Sequence, residues 1–356
     1  MDSPTATVRP VATWLYACCA LIFVMVVIGG LTRLTESGLS IVEWQPISGV
    51  LPPLNETQWA AEFARYQTSP EFRAVNFWMT LADFKTIYWL EYVHRLLGRG
   101  IGLAFLLPLL WFAWRRQIDR KLALKLGGIF ALGALQGALG WYMVQSGLVH
   151  EPAVSHYRLA AHLCLALAIG AAMLWTAFGI DPGPAGEPAP PRLRYAAWLA
   201  LCWLGVTIVW GAFVAGLDAG AMFTTFPLMD GQVMPEVALA LKPWPLNLVE
   251  NPAMVQFVHR CLAMSLVAIV AVAWAMARRA PPGARRAAGI LLALALLQAA
   301  LGIATLLTGV DIALAALHQA NAVLLLAAAL WLTFTVTHGA RLTHAAAGTI
   351  NPAVAI

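Results

Sequence analysis

Four histidines, His94, His162, His259 and His318, lie inside long apolar stretches, each near the N-terminal end of its stretch. An imidazole surrounded by lipid is costly and marks a functional site unless it is spent on an interhelical hydrogen bond. These four form a pattern. Glu91-Tyr-Val-His94-Arg95-Leu-Leu-Gly is matched 165 residues later by Gln256-Phe-Val-His259-Arg260-Cys-Leu-Ala, and His162 is matched by His318 after 156 residues. Between them, Gln136-Gly-Ala-Leu-Gly140 answers Gln298-Ala-Ala-Leu-Gly302. A single histidine would be read as a packing residue, whereas two pairs at matched positions point to ligands.

Zinc or copper would want a third or fourth donor at close range, cysteine or carboxylate. Cys18, Cys19, Cys164, Cys202 and Cys261 all fall inside apolar stretches, with no consistent placement beside the histidines. They read as packing residues rather than ligands or disulfide partners. Two imidazoles facing each other across an apolar bundle match bis-histidine haem ligation. Arg95 and Arg260 directly follow their histidines and Arg99 lies one turn beyond Arg95, placed for haem propionates or for lipid headgroups. The repeat is unequal at one point. Glu91 sits three residues before His94, on the same helix face, while the equivalent before His259 is Gln256, which cannot ionise. That difference makes Glu91 a candidate catalytic carboxylate; the plainer alternative is an ion pair with Arg95 or Lys85.

The elements that must position these groups follow from composition. Of 356 residues, 61% are apolar and 11% charged, less than half the charged share of an ordinary soluble domain, about 25%. A soluble enzyme and a disordered protein are both excluded. The chain reads as an all-α polytopic membrane protein of eight transmembrane helices, arranged as two tandem pseudo-symmetric four-helix bundles. The apolar blocks are residues 11–30, 86–114, 126–149, 159–180, 195–217, 253–277, 287–310 and 312–337. The last two meet at a tight Gly309-Val310-Asp311 turn.

Arg and Lys cluster in connectors 115–125, 181–194 and 278–286, which places those links and both termini on the cytoplasmic side of a bacterial inner membrane. The net charge of +5 therefore belongs to membrane topology rather than to a nucleic-acid surface. Two long outer loops remain, 31–85 and 218–250. The first holds Asn55-Glu-Thr-Gln-Trp59, the capped start of a short amphipathic helix on the membrane surface, and a second short helix is expected near Thr80 with Asp83 in a capping box. Arg33 and Glu36 are expected to pair or to organise this loop, and Asp218 to close the other. His150, His156, His338 and His344 read as surface histidines. Residues 1–180 form the first bundle, 181–194 a Pro-rich cytoplasmic linker, and 195–356 the second bundle.

Three segments carry a family resemblance: Gly29-Gly-Leu-Thr-Arg-Leu-Thr-Glu-Ser-Gly-Leu-Ser40, Trp44-Gln-Pro-Ile with Gly49-Val-Leu-Pro-Pro53, and Glu91-Tyr-Val-His-Arg-Leu-Leu-Gly-Arg99. Through them essentially the whole chain resembles the haem A synthase family, in its alphaproteobacterial and mitochondrial form. The cysteine pair in the first outer loop of bacillus-type members is absent here. The resemblance implies oxidation of the C8 methyl of haem O to a formyl group, giving haem A for cytochrome oxidase. It implies that His94 and His162 hold the haem O/A substrate and that His259 and His318 ligate a haem B cofactor, with Glu91 near the reacting methyl. Implied partners are a haem O synthase and an electron donor. The competing expectations are a di-haem electron carrier or quinol oxidoreductase, which would give Glu91 no special role over Gln256, and a haem or lipid transporter, which four histidines at one depth disfavour.

Overall fold

The computed structural model describes residues 4–45, 48–149, 153–181 and 189–347, and among these it is all-α. Ten helices follow in order: α1 (Pro4–Leu34), α2 (Glu56–Tyr66), α3 (Leu81–Trp114), α4 (Arg120–Val149), α5 (His156–Ile180), α6 (Pro191–Gly216), the single turn α7 (Asn247–Glu250), α8 (Pro252–Ala277), α9 (Pro282–Leu307) and α10 (Ile312–Ala347). Eight of them, all but α2 and α7, are long and apolar enough to span a bilayer. Helices are the form expected, because lipid offers the backbone no hydrogen-bonding partners. The histidines at 150 and 344 and most of the Pro-rich linker lie outside the described backbone or side chains.

Most of these helices begin several residues before their apolar blocks. Pro191, Pro252 and Pro282 open α6, α8 and α9 at a position where no backbone donor is needed. Asn251 caps α8 by accepting from Ala253 N at 3.0 Å. The turn between α9 and α10 forms as expected. Gly309 and Val310 both take φ +67°, and Asp311 then caps α10 through Leu314 N at 3.0 Å.

Contacts close each half into a ring. In the first half α1 packs on α3 and α5, α4 packs on α5, and a thinner seam joins α3 to α4. In the second, α6 packs on α8 and α10, and α9 on both α8 and α10. The first core is built around Leu15, Phe105, Leu126 and Met173. The second is built around Leu193, Val270, Leu291 and Leu325. The halves meet along α5–α6, α1–α10 and α5–α10. Here the Gln319 amide on α10 donates to Val26 O on α1 at 2.8 Å, occupying the space left by Gly30.

The outer loops differ from expectation in two respects. Asn55 does cap α2, accepting from Gln58 N at 2.9 Å, and the Thr80–Asp83 capping box is present. The box, however, opens α3 itself, so no separate short helix begins at Thr80; a single helical turn, Phe72–Asn76, lies just before it. Nor is α2 an isolated surface helix. Its buried residues Trp59 and Tyr66 pack on Phe84, Ile87 and Tyr88 of the extended α3, with Tyr66 stacked on Phe84 at 5.3 Å between ring centroids. An aromatic cluster outside the lipid thus props the first loop over the first bundle.

Candidate functional site

The four histidines occupy equivalent seats. Each ring lies against a glycine of the preceding spanning helix: His94 on Gly29, His162 on Gly140, His259 on Gly211 and His318 on Gly302. A β-carbon on those glycines would stand 2.9, 2.8, 3.0 and 2.8 Å from the respective Cε1 atoms, closer than carbon atoms pack. Absence of a side chain at these positions therefore lets the Cε1 edge of an imidazole approach a neighbouring helix closely. Within each half the two histidines stand on helices of one ring, His94 on α3 with His162 on α5 and His259 on α8 with His318 on α10.

The glutamines of the repeated motif hold one ring of each pair. Gln136 Nε2 donates to His162 O at 3.0 Å and lies 3.1 Å from its Nδ1. Gln298 Nε2 does the same at His318, at 3.1 and 3.2 Å, and is itself held by Asn321 donating to its Oε1 at 2.7 Å. In contrast, Nδ1 of His94 and of His259 is buried with no hydrogen-bond partner among the described residues. A buried, unpartnered polar atom calls for an explanation. In each pair one seated imidazole, that of His94 or His259, keeps a ring nitrogen outside the structural hydrogen bonds, which fits the demands of axial ligation. Among the described residues no group of three or more His, Cys, Asp or Glu side chains converges.

Glu91 is buried at 4% exposure, and four donors reach it. Its Oε2 accepts from Ser40 Oγ at 2.6 Å and Ile41 N at 2.7 Å; its Oε1 accepts from Arg95 Nε at 3.0 Å and Nη2 at 2.6 Å. Arg95 also donates to Ile41 O and Glu43 O, and Arg99 to Gln45 O. The pair thus pins the chain that leaves α1 onto the outer end of α3. The second half repeats the device without a carboxylate on the helix. Gln256 donates to Gly220 O and Phe223 O, while Arg260 donates to Phe223 O and Thr225 O. The ion pair with Arg95 is therefore real, and Lys85 is bound elsewhere, to Glu56 at 3.0 Å. Above Arg95 and Arg99 the loop encloses a cavity of about 330 Å³, lined in part by Gln45, Gln58, Arg65 and Tyr92.

Other expectations are corrected by the structure. Arg33 pairs not with Glu36 but with Asp218 of the other half, at 2.7 Å, and donates to Ala215 O at 2.9 Å. Glu36 and Asp218, equivalent in the repeat, share a left-handed backbone at φ 54° and 50°. His156 is not a surface residue. It is buried against Phe213 and Gly216 where α5 meets α6. His338 is half-buried and stacks on Phe334 at 4.4 Å. Sequence reasoning passed over Glu71, whose carboxylate accepts from the fully buried Tyr66 hydroxyl at 3.0 Å. Burial pushes the Glu71 carboxyl up to about 8, and the negative charges of Glu91 and Glu36 act in the same direction.

Fold and site together define a multi-pass membrane protein of two tandem four-helix bundles, each presenting a pair of glycine-seated histidines beneath a pinned outer loop. The chain belongs to the haem A synthase family: the family profile described as cytochrome oxidase assembly protein matches residues 12–330. It is similar to the heme A synthase of Nitrosospira multiformis, 50% identical across 93% of this chain and 94% of the relative. That of Rhodospirillum centenum is 50% identical across 92% and 88%. That of Rhodopseudomonas palustris strain BisA53 is 53% identical across 89% and 88%.

The loop-pinning arginines can be tested directly. Arg95→Ala strands the buried Glu91 carboxylate, an effect of about 3–5 kcal/mol for a broken buried pair. It should sharply raise amide hydrogen exchange in residues 41–45. Arg260→Ala strands no buried carboxylate, so residues 223–225 should loosen less. Equal protection of residues 41–45 in wild type and Arg95→Ala would contradict the assignment.

Proposed function

We propose that this chain is a haem A synthase, an oxidoreductase acting on haem O within the membrane. The reaction converts the C8 methyl of haem O to the formyl group of haem A, a net loss of two hydrogens and gain of one oxygen. Membership of the family supports this reaction. The observation that carries the division of labour is the repeat itself: two like-built histidine seats, only one of which has a carboxylate beside it.

In this reading His94 and His162 hold the iron of haem O in the first bundle, residues 1–180, and His259 and His318 hold haem B in the second, residues 195–356. The fit rests on the glycine seats and on the unpartnered Nδ1 atoms of His94 and His259. Haem B, when bound, supplies one-electron redox chemistry beside the substrate bundle. The chain's own residues orient and protect. Gln136 and Gln298 fix the orientation of His162 and His318, as outer-shell hydrogen bonds do for ligating histidines. Gln319 and the Arg33–Asp218 bridge hold the two bundles in register. The aromatic cluster around Tyr66 and Phe84 supports a loop that shields the outer end of the first bundle from water.

Glu91 lies one helical turn before His94. With Oε2 held by Ser40 and Ile41 and Oε1 by Arg95, it is a fixed anion rather than a mobile base. Its role in catalysis is electrostatic: a preorganised negative charge stabilises positive charge that develops as the methyl carbon is oxidised. Arg95, Arg99 and Arg260 lie where propionates would emerge toward the outer surface. Most of their donors already serve the loops, and the buried Nε of Arg260 has no partner among the described residues. A haem O synthase and an electron donor are the partners this chemistry requires. The Arg-rich links support an orientation with both termini in the cytoplasm of a bacterial inner-membrane protein.

Two experiments test this reading. Glu91→Gln keeps volume while removing the charge and one of the two accepting oxygens, and Gln256 shows that the same helix geometry accepts the amide. The variant should insert and retain haem through His94 and His162, while haem A output falls about 100-fold, the scale of such electrostatic or acid–base contributions. Near-normal haem A output would reduce Glu91 to a loop anchor. Topology is checked in a cysteine-depleted background. A cysteine replacing the exposed Ala64 of α2 should react with an impermeant maleimide in spheroplasts, and one replacing exposed Lys121 only after lysis. The opposite labelling would invert the assigned orientation.

A further inference from the structure

The two four-helix rings are not closed to the same degree. In the second ring the seam between α8 and α9 stays packed as far as the middle of both helices, through Leu266 on α8 and Leu291 and Ala295 on α9, all 5% exposed or less. The equivalent seam between α3 and α4 is packed only near its cytoplasmic turn. Phe105 stacks on Phe130 at 6.3 Å, and Leu109, Phe112, Leu126 and Ile129 complete the buried contact. One turn further out the core ends on both helices. Ile101, the counterpart of Leu266, is only partly buried. Gly133, the counterpart of buried Ala295, is exposed, and a β-carbon there would meet nothing within 4 Å; the same holds for Gly137 one turn beyond. The helices therefore diverge from their short cytoplasmic turn like the arms of a V.

The gap so formed opens at the depth of the histidine pair. Gly140, the seat of His162, lies one turn beyond Gly137 on α4, and His94 lies two turns beyond Ile101 on α3. The side chains flanking the gap toward the outside of the bundle, Leu103, Leu132 and Leu135, are apolar and exposed. An opening that joins a buried imidazole pair to the hydrocarbon between apolar flanking side chains suits a ligand that is a flat macrocycle with a long hydrocarbon tail. Haem O is such a molecule, since its isoprenoid chain has to lie in an apolar medium. A resident cofactor needs no such opening, and the equivalent seam of the second ring has none.

We propose that the α3–α4 gap is the lateral portal through which haem O enters from the bilayer and haem A leaves, with the isoprenoid tail resting against Gly133 and Gly137 while the ring is held. The proposal rests on the assignment of substrate to the first bundle. The closed α8–α9 seam accounts for retention of the second haem over many turnovers.

The test uses the full-length holoprotein in lipid nanodiscs, with apomyoglobin outside as a haem acceptor. Bound haems are first extracted and separated, so that haem O or A is distinguished from haem B. Wild type should lose haem O or A to the acceptor while haem B stays in place. Gly133→Leu and, separately, Gly137→Leu fill space that is open in the structure. Each should slow that loss about ten-fold or more, a change in dissociation rate with the bound-state spectrum preserved. Unchanged exchange in both variants, or equally fast loss of haem B from wild type, would overturn the portal. Absence of haem O and haem A from the purified protein at the outset would overturn the substrate assignment itself, and the portal with it.

Discussion

Everything in this molecule depends on placing four imidazoles inside helices that have only hydrocarbon around them. A polar ring in that setting must be supported on all sides or be left for a ligand. The chain meets the requirement the same way four times, by removing the side chain from the neighbouring helix. Gly29, Gly140, Gly211 and Gly302 let the rings of His94, His162, His259 and His318 approach backbone at distances no other residue would permit. Close approach of this kind is a common means of packing helices in membranes, and here it seats four rings. The glutamines of the repeated motif then hold His162 and His318, while His94 and His259 keep a buried nitrogen free of structural bonds.

The second constraint is the join between spanning helices and outer loops. Both halves tie the segment leaving their first helix to the outer end of their second, through side chains three residues before and one residue after the histidine. In the second half a neutral glutamine and an arginine suffice. In the first half the glutamine is replaced by a carboxylate held by four donors. Stability alone does not call for the replacement, since an ion pair taken out of water contributes little net stabilisation over a neutral pair. In the proposed reading, a carboxylate beside one histidine pair and not the other is what would separate a reacting site from an electron-transfer site.

Much of this was legible in the sequence. Eight apolar blocks became eight spanning helices with ends shifted by a few residues, because hydropathy over a bilayer thickness is a strong signal. The histidine pairs were visible because a tandem repeat aligns them. The expected short helix at Thr80 failed for a local reason: a capping box marks where a helix begins and says nothing about where it ends, and this one runs unbroken to Trp114. The Arg33–Asp218 bridge, the Gln319 contact with α1 and the burial of His156 were invisible because they join the two halves across long stretches of chain. The glycine seats were half visible. Gly140 and Gly302 stood in a repeated motif, but only the packed structure shows that each supports a ring. Glu71 carried no motif at all, and its importance lies in the tertiary burial of Tyr66.

The central claim is that the two histidine pairs hold different haems. It is tested most directly by extracting and separating the haems of purified wild type and of four single variants. Wild type should give haem B together with haem O or haem A. His259→Ala and His318→Ala should lose haem B and keep the other, and His94→Ala and His162→Ala should do the reverse. Loss of the same haem from both sets, or a full complement in every variant, would contradict the account.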